Sequence, residues 1–510
     1  MKNFIDFYAN EYEITYNTID LIEIQEKIMS SQNKCKNKND FDSNDISSDG
    51  NYKRQFIEMS AIGSGGFGTV FKVKHRLDDK MYAIKRVQFE DFSEEKRLTV
   101  LNEAKSLAKL DSDFVVKYYH SWLESNHLFI QMEFCSQNLK TILENKAIVF
   151  ERQPEDQMNN VFEYFISCEI FKELLECVQY LHESKPPVIH RDLKPDNILI
   201  DSNINSNRIL KLCDFGLAKE SNTNGQTFSN TVVGTSRYMA PEVFSGKYNH
   251  KSDIYSLNII GGQFSQSFNE NESLKSCKLC IYETLLAMMS TPFWRQRPEC
   301  RQVLAKYNEW SIDKTFIKDH KEFNSERDRF GKSLRSSKYP TKIRANDCDL
   351  SDNSSDDIYK RQFIEISTIG SGGFGTVFQV KHRLDDKMYA IKRVQFGEKR
   401  FRILNEVKML SKMDSDFVVK YYHSWLDSNH LFIQMEFCSQ NLKTILENKA
   451  IVFERQPEDQ MNSVFEYFIS CEIFRELLEC VQYLHELVPP VIHRDLKPDN
   501  ILIDPNFRSN

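Results

Sequence analysis

VIHRDLKPDNILID fills residues 188–201 and returns, unchanged, at residues 491–504. Outward from this stretch, residues 52–201 are repeated at 359–504 with few substitutions and one four-residue deletion. Tyr52 aligns with Tyr359, Lys85 with Lys392, Glu103 with Glu406 and Asp192 with Asp495. A period of that length is far too long for a solenoid. The chain therefore carries a domain and a shortened duplicate of it.

HRDLKPDN, residues 190–197, concentrates three kinds of chemistry. Asp192 can accept a proton from a substrate hydroxyl, Lys194 can neutralise a transferred phosphoryl group, and Asn197 offers a hard oxygen suited to Mg²⁺. Further along, CDFG brings Asp214, a carboxylate for the same metal, and GTSRYMAPE ends on Glu242. Arg297, in RQRPEC, is placed to pair with Glu242 in a buried ion pair. Upstream, IGSGGFGTV (residues 62–70) holds Gly63, Gly65, Gly66 and Gly68 around Ser64 and Phe67. It lies between two predicted strands, which argues against a dinucleotide fold. A glycine hairpin lets backbone N–H groups approach phosphate oxygens without Cβ clashes. YAIK then sets Lys85 on the third strand, within reach of phosphates, with Glu103 in the following helix as its natural partner.

The elements around these motifs change period along the chain. Residues 55–90 alternate as three antiparallel strands, punctuated by GSGGFG and LDDK. Residues 93–109 carry Leu98, Leu101, Ala104 and Ala108 at helical spacing. FVVKYYHSWLE and HLFIQMEF are the next two strands, and a helix over 158–183 sets Phe171, Leu174, Val178 and Leu181 on one face. The expected fold class is α+β: a bilobal arrangement with a five-stranded N-lobe and a helical C-lobe, followed by a truncated second copy.

These motifs, in this order, resemble the eukaryotic protein kinase family over about residues 55–306 and again over 362–504. HRDLKPDN with its lysine, and GT before RYMAPE, are similar to the serine/threonine branch. The resemblance implies ATP and Mg²⁺ as cofactors, Asp192 as catalytic base with Lys194, and Asn197 and Asp214 as metal ligands. It makes Met132 the gatekeeper and Glu133 to Cys135 the hinge for adenine, with Ile62, Val70, Ala83 and Leu199 around the base. In the second copy it carries over to Gly370, Gly372, Gly375, Val377 and Lys392, with Glu406, Asp495, Lys497 and Asn500. IGSGGFGTVFKVKHRLDDKMYAIKRV, YYHSWLE and LFIQMEFC further resemble the kinases of the α subunit of translation initiation factor 2, a group that includes the double-stranded-RNA-activated kinase. That resemblance implies a serine substrate in the factor, regulation of translation under stress, and activation by back-to-back pairing of N-lobes.

The expected organisation is a polar lead-in over 1–51, a kinase domain over 52–306, a linker over 307–358 and a partial kinase domain over 359–510. Taken as flexible coil, the linker would span about 40 Å. Its NDCDLSDNSSDD run reads as a solvated tether, with Ser351, Ser354 and Ser355 as acid-flanked phosphorylation candidates. Net charge is −7, which gives the whole chain no electrostatic case for nucleic-acid binding. No apolar run is long enough for a membrane helix and the N-terminus lacks a signal-peptide pattern, so a cytoplasmic location, with the nucleus also open, is expected. The twelve cysteines are scattered, and the lone CxxC of Cys277 and Cys280 reads as core thiols.

Three departures stand beside the resemblance. The family's members carry appended sensor domains, and the roughly fifty mostly polar residues ahead of the kinase region hold no recognisable one. Gln55, and its counterpart Gln362, stand near the place where an acidic residue usually assists N-lobe pairing. After KSDIYSLNII, residues 258–280 look compressed, with Gly261 and Gly262 where an apolar helix should continue; interior glycines cost a helix about 1 kcal/mol each. Thr231 is the expected activation-loop phosphosite, with Thr227 and Ser229 in reserve and Arg191 to bind the phosphate. The second copy lacks the DFG Asp, the activation segment and most of the C-lobe, and is expected to be inactive. Two alternatives stay open: a generic serine/threonine kinase with another protein substrate, and a catalytically weak nucleotide-binding regulator acting through N-lobe pairing.

Overall fold

In the computed structural model, the described residues are 50–503 apart from 66–67, 90–91, 111–112, 151–160, 202–207, 216–217, 221–226, 229–233, 246, 265–274, 290–293, 313–357, 373–374, 396–399, 414–415, 428, 454–463 and 488–489. The lead-in, most of the tether with its serines, the loop tip at Gly66 and Phe67, Ser229 and Thr231 lie outside them.

The first lobe begins with a short helix α1 (Asn51–Gln55) and five strands: β1 (Phe56–Gly65), β2 (Gly68–His75), β3 (Met81–Gln88), β4 (Tyr118–Glu124) and β5 (His127–Glu133). The sheet order is β1-β2-β3-β5-β4, antiparallel throughout, so β4 forms an edge. Gly68 holds φ +123°, and a Cβ there would lie 2.3 Å from the Arg86 carbonyl oxygen, so the second arm of the hairpin requires glycine. Helix α2 (Glu94–Lys109) packs behind the sheet through Val100, Ala104, Leu107 and Ala108. Leu98, expected on the apolar face, is 54% exposed.

The second lobe follows β6 (Gln137–Asn138) with helices α3 (Leu139–Val149) and α4 (Val161–Glu183), and strands β7 (Val188–Ile189), β8 (Ile198–Ile200) and β9 (Leu210–Leu212). Strand β10 (Lys219–Glu220) pairs with β7, and β11 (Thr227–Phe228) with β12 (Lys247–Tyr248). Helices α5 (Lys251–Phe264), α6 (Lys275–Met288), α7 (Cys300–Leu304) and α8 (Tyr307–Trp310) complete it. The α4 face predicted from Phe171, Leu174, Val178 and Leu181 is buried, and one core runs from Leu107 and Phe215 through α4 to Trp310. Arg297 pairs bidentately with Glu242 at 2.6 and 2.9 Å, fully buried, as expected. Cys277 donates to the Ser311 carbonyl at 3.2 Å and Cys280 meets Glu309 Oε2 at 3.7 Å.

Helix α5 corrects one expectation, because it runs straight through both glycines to Phe264. Gly261 is a close-packing residue: a Cβ there would sit 2.8 Å from Leu285 Cδ2 and 2.9 Å from Phe171 Cε2, whereas no atom of the described residues lies within 4 Å of one at Gly262. Alanine gains about 1 kcal/mol of helix propensity at either position, but overpacking costs about 1–3 kcal/mol. Thermal unfolding should therefore show Gly262→Ala more stable than the parent and Gly261→Ala less stable by about 1 kcal/mol. Equal shifts of one sign would refute the packing explanation.

The second copy repeats the lobe: α9 (Ile358–Gln362), β13 (Phe363–Gly372), β14 (Gly375–His382), β15 (Met388–Gln395), α10 (Arg400–Lys412), β16 (Tyr421–Asp427) and β17 (His430–Glu436), in the same sheet order with β16 at the edge. Then come β18 (Gln440–Asn441), α11 (Leu442–Val452), α12 (Val464–Glu486) and β19 (Leu502–Ile503). Its α12 lacks a helical floor among the described residues. Phe468 and Phe474 are 56% and 60% exposed, where their counterparts Phe165 and Phe171 are 2% and 3%.

The two N-lobes meet back to back through reciprocal contacts. Tyr118 donates to Asp385 Oδ2 at 2.8 Å, and Tyr421 to Asp78 Oδ2 at 2.9 Å, all four buried. Lys105 pairs with Asp386 at 2.7 Å, and Lys408 with Asp79 at 2.6 Å. Lys80 reaches the Ser411 carbonyl and Lys387 the Ala108 carbonyl, each at 3.2 Å. At the centre His120 and His423 stack with centroids 4.8 Å apart. Exposed lysine pairs are worth at most about 1 kcal/mol, so the buried tyrosine–aspartate bonds and the stacked rings dominate. Gln362 does contribute, meeting His120 Nε2 at 3.1 Å, while Gln55 turns inward to Asn51.

Candidate active site

The cleft between the lobes of the first copy is built from opposed strands and one loop. Register on β3 and β5 sets Ala83 opposite Met132 and Tyr82 opposite Glu133, and Val70 on β2 opposite Lys85. Leu199, on β8, pairs with Lys211 on β9 and is half-buried against the main core. Ile62, on β1, is 47% exposed at the rim. Gly63 pairs with Val70, Ser64 with Thr69 and Gly65 with Gly68, which shapes the hairpin that overhangs the cleft. Glu133 spends its carboxylate on Lys211, at 3.0 and 3.1 Å, and on the Lys117 N–H at 2.6 Å. Lys211 also pairs with Asp201 at 3.0 Å. This buried group ties the hinge to the second lobe. Burial pushes the neighbouring Cys135 thiol up, so it stays protonated.

Lys85 lies on β3 between two carboxylates. It reaches Glu103 at 2.8 and 2.9 Å and Asp214 at 2.9 Å. Burial opposes its charge, but Glu103 and Asp214 together outweigh that and raise its pKa. Burial likewise works against the Asp214 carboxylate, and Lys85 overrides it and holds the carboxyl below its ordinary value. Asp214 has φ +63°, a left-handed backbone adopted immediately after β9.

The catalytic loop converges on Asp192. Its Oδ1 accepts both the backbone N–H and the hydroxyl of Thr235 at 2.8 Å, and its Oδ2 accepts Lys194 Nζ at 2.6 Å. Lys194 also touches the Thr235 hydroxyl at 3.0 Å. Asn197 donates its amide to the Asp192 carbonyl and carboxylate at 2.9 and 3.1 Å, which leaves its oxygen as the available ligand. Cys213 N–H bonds the Asn197 carbonyl, so the β8–β9 pairing brings Asn197 beside the Asp214 segment. The loop is anchored from below: Asp253, on α5, accepts the N–H groups of His190 and Arg191, each at 2.9 Å. Arg191 has φ +69°; its guanidinium meets the Tyr248 hydroxyl, and its buried Nε has no hydrogen-bond partner among the described residues.

Thr235 and Asp253 complete the site without a motif role expected from the sequence, although Thr235 lies in the GT before RYMAPE. Among the expected residues, Lys85, Glu103 and Asp214 are joined by ion pairs, and Asp192, Lys194 and Asn197 by hydrogen bonds. In the second copy Gly370 pairs with Val377 and Gly372 with Gly375, and Lys392 keeps Glu406 at 2.6 Å. Lys497 keeps Asp495 at 3.1 Å, and Asn500 keeps Asp495 at 2.9 Å. Asp495 is 60% exposed where Asp192 is 8%, because counterparts of Thr235 and Asp253 are absent among the described residues.

The family model described as "Protein kinase domain" matches residues 56–310 and 363–508. The mouse "Interferon-induced, double-stranded RNA-activated protein kinase" is 29% identical over 302 residues, covering 53% of this chain and 54% of that protein. The Dictyostelium discoideum "Probable serine/threonine-protein kinase nek2" is 34% identical over 210 residues, 40% of this chain and 47% of that one. A rice "Wee1-like protein kinase" is 31% identical over 269 residues, 50% and 47%. The chain spans about half the length of these curated relatives.

Proposed function

Since the chain belongs to the protein kinase family, we propose that its first copy transfers the γ-phosphoryl group of ATP to a serine of the α subunit of translation initiation factor 2. The observation that carries the chemistry is the group formed by Asp192, Lys194 and Thr235. Asp192 is fixed by the two Thr235 donors, so one carboxylate oxygen is aimed and ready to take the hydroxyl proton as the serine oxygen attacks. Lys194 lies beside it to offset negative charge on the phosphoryl oxygens. Lys85, held by Glu103, orients the phosphates from above. Asn197 and Asp214 offer an amide and a carboxylate oxygen, hard donors that fit Mg²⁺; the ion, bound with ATP, supplies neutralising charge on phosphate oxygens.

Thr231, the proposed activation phosphosite, lies outside the described residues; Arg191, next to Asp192, is the cation proposed to receive its phosphate. The initiation factor is supported by the sequence resemblance and by the 29% identity over 302 residues to the double-stranded-RNA-activated kinase. The test is phosphoamino-acid analysis with kcat/KM on the purified factor subunit. Phosphoserine should form, with kcat/KM about tenfold below that of a full-length family member, equivalent to about 1.4 kcal/mol of transition-state binding. No incorporation above an inert control protein would remove the factor as substrate. Phosphotyrosine alone would overturn the serine assignment.

The second copy serves as a resident pairing partner rather than a second catalyst. The reciprocal contacts between the lobes support this role, and the exposure of Asp495 argues against catalysis there.

A further inference from the structure

Behind the catalytic loop, we propose a zinc-class divalent cation site formed by His182, His250 and Glu299, distinct from the nucleotide cleft. One ring nitrogen of each histidine and one carboxylate oxygen of Glu299 lie within 4.8 Å of one another. It is the only such group of three among the described residues. The three come from different segments: His182 from the last turn of α4, His250 from just before α5, and Glu299 from the cap of α7.

The decisive group is His182, whose side chain is 6% exposed. Its Nε2 meets Asp253 Oδ2 at 2.9 Å, while its buried Nδ1 has no hydrogen-bond partner among the described residues. The Asp253 carboxylate can only accept, so the proton sits on Nε2 and Nδ1 presents a lone pair. A carboxylate behind a ligating histidine is the usual support of a zinc site; it fixes the tautomer and raises the basicity of the other nitrogen. The His250 ring lies 4.9 Å from the His182 ring and contacts Glu299 Oε2 at 2.9 Å. Lys251 Nζ, at 2.5 Å, occupies the other Glu299 oxygen and steadies the carboxylate. Zinc bonds of about 2.0–2.2 Å place tetrahedral donors about 3.3 Å apart, so closing the group takes side-chain adjustments of about 1 Å. Two imidazoles and one carboxylate suit zinc, and a water would complete the tetrahedron. Mg²⁺ demands oxygen donors in an octahedron and does not suit it.

The cation would join α4, α5 and α7 directly beneath Asp253, which holds the His190 and Arg191 N–H groups of the catalytic loop. The inference is independent of which protein is phosphorylated.

The test uses the full chain, stripped with chelator and without nucleotide. Zn²⁺ retained after dialysis against millimolar Mg²⁺ should be one equivalent and should raise the unfolding temperature. His250→Ala and Glu299→Gln should each weaken Zn²⁺ at least about tenfold, while Asp214→Asn, in the cleft, should retain it. Co²⁺ added to the unsubstituted protein gives a reading that needs no variant. Intense visible absorption of four-coordinate cobalt without thiolate charge-transfer bands is the expected result. Weak six-coordinate absorption, thiolate bands alone, no retained zinc, or retention unchanged in both variants would each overturn the site.

Discussion

Asp214→Asn, or Lys85→Met, lowers autophosphorylation of the full-length chain by about a thousandfold, whereas Lys392→Met leaves it within about twofold. The asymmetry follows from the two clefts. In the first, Lys85 is nearly buried between Glu103 and Asp214, at 2.8 and 2.9 Å, and Asp214 stays ionised because Lys85 outweighs the effect of burial. Asparagine keeps the shape and removes the charge that would face a metal-bound phosphate. In the second cleft Lys392 retains only Glu406, and its catalytic aspartate is largely in solvent. Radiolabel incorporation at matched ATP measures all three variants. Activity surviving in Asp214→Asn, or lost in Lys392→Met, would reverse the division of labour between the copies.

The second large effect is in concentration dependence. Two sites on one polypeptide meet at an effective concentration approaching mM when the linker spans them. The autophosphorylation rate per molecule of the full chain should therefore stay flat from about 10 nM to 1 μM. Deletion of residues 345–510 should make the rate fall on dilution, by up to about a hundredfold over the same range. The double variant Asp78→Ala/Asp385→Ala should behave like the deletion, since it removes both buried acceptors for Tyr118 and Tyr421. Superimposable dilution curves would show that the lobes do not act on each other.

Acid should weaken the same contact. His120 is buried and faces His382, His423, Asp385 and Gln362. Burial first, then His382, hold its pKa down to about 3. The separated state, with a pKa near 6.5, binds more protons between those values. Pairing is thus fully present above about pH 6.5 and declines as pH falls toward 3. Burial works against the Asp78 and Asp385 carboxylates, and His75 and His382 of their own lobes override it and hold both below the ordinary value, so these two bear on the stability of each lobe rather than on pairing.

Much of this was legible in the sequence because each motif is local. The β1–β3 alternation, the glycine hairpin and HRDLKPDN each specify their own backbone and side-chain set within ten residues or so. Leu98 misled because an apolar residue at helical spacing says nothing about which face finds a neighbour; the sheet took the Val100 and Leu107 face. Gly261 misled in the opposite direction, since its value depends on Phe171 and Leu285, far away in sequence. Thr235 and Asp253 act through contacts spanning 43 and 63 residues, which no periodicity reports. The pairing surface was hidden most completely. LDDK read as a turn and YYHSW as a strand, and both are, but Asp78, Tyr118 and His120 take on meaning only against the duplicate.

The reciprocity of the Tyr118–Asp385 and Tyr421–Asp78 bonds has a genetic consequence. A kinase that must find a separate, identical partner can be poisoned by a dead sister molecule, which enters half or more of the pairs. With its mate covalently attached, a resident lobe at about mM outcompetes a free rival at about 1 μM by roughly a thousand to one. In the paired arrangement, co-expression of an Asp214→Asn chain should leave the wild-type chain's output untouched. A defective allele of this protein would then be recessive where a defective allele of a dimerising single-copy kinase is dominant.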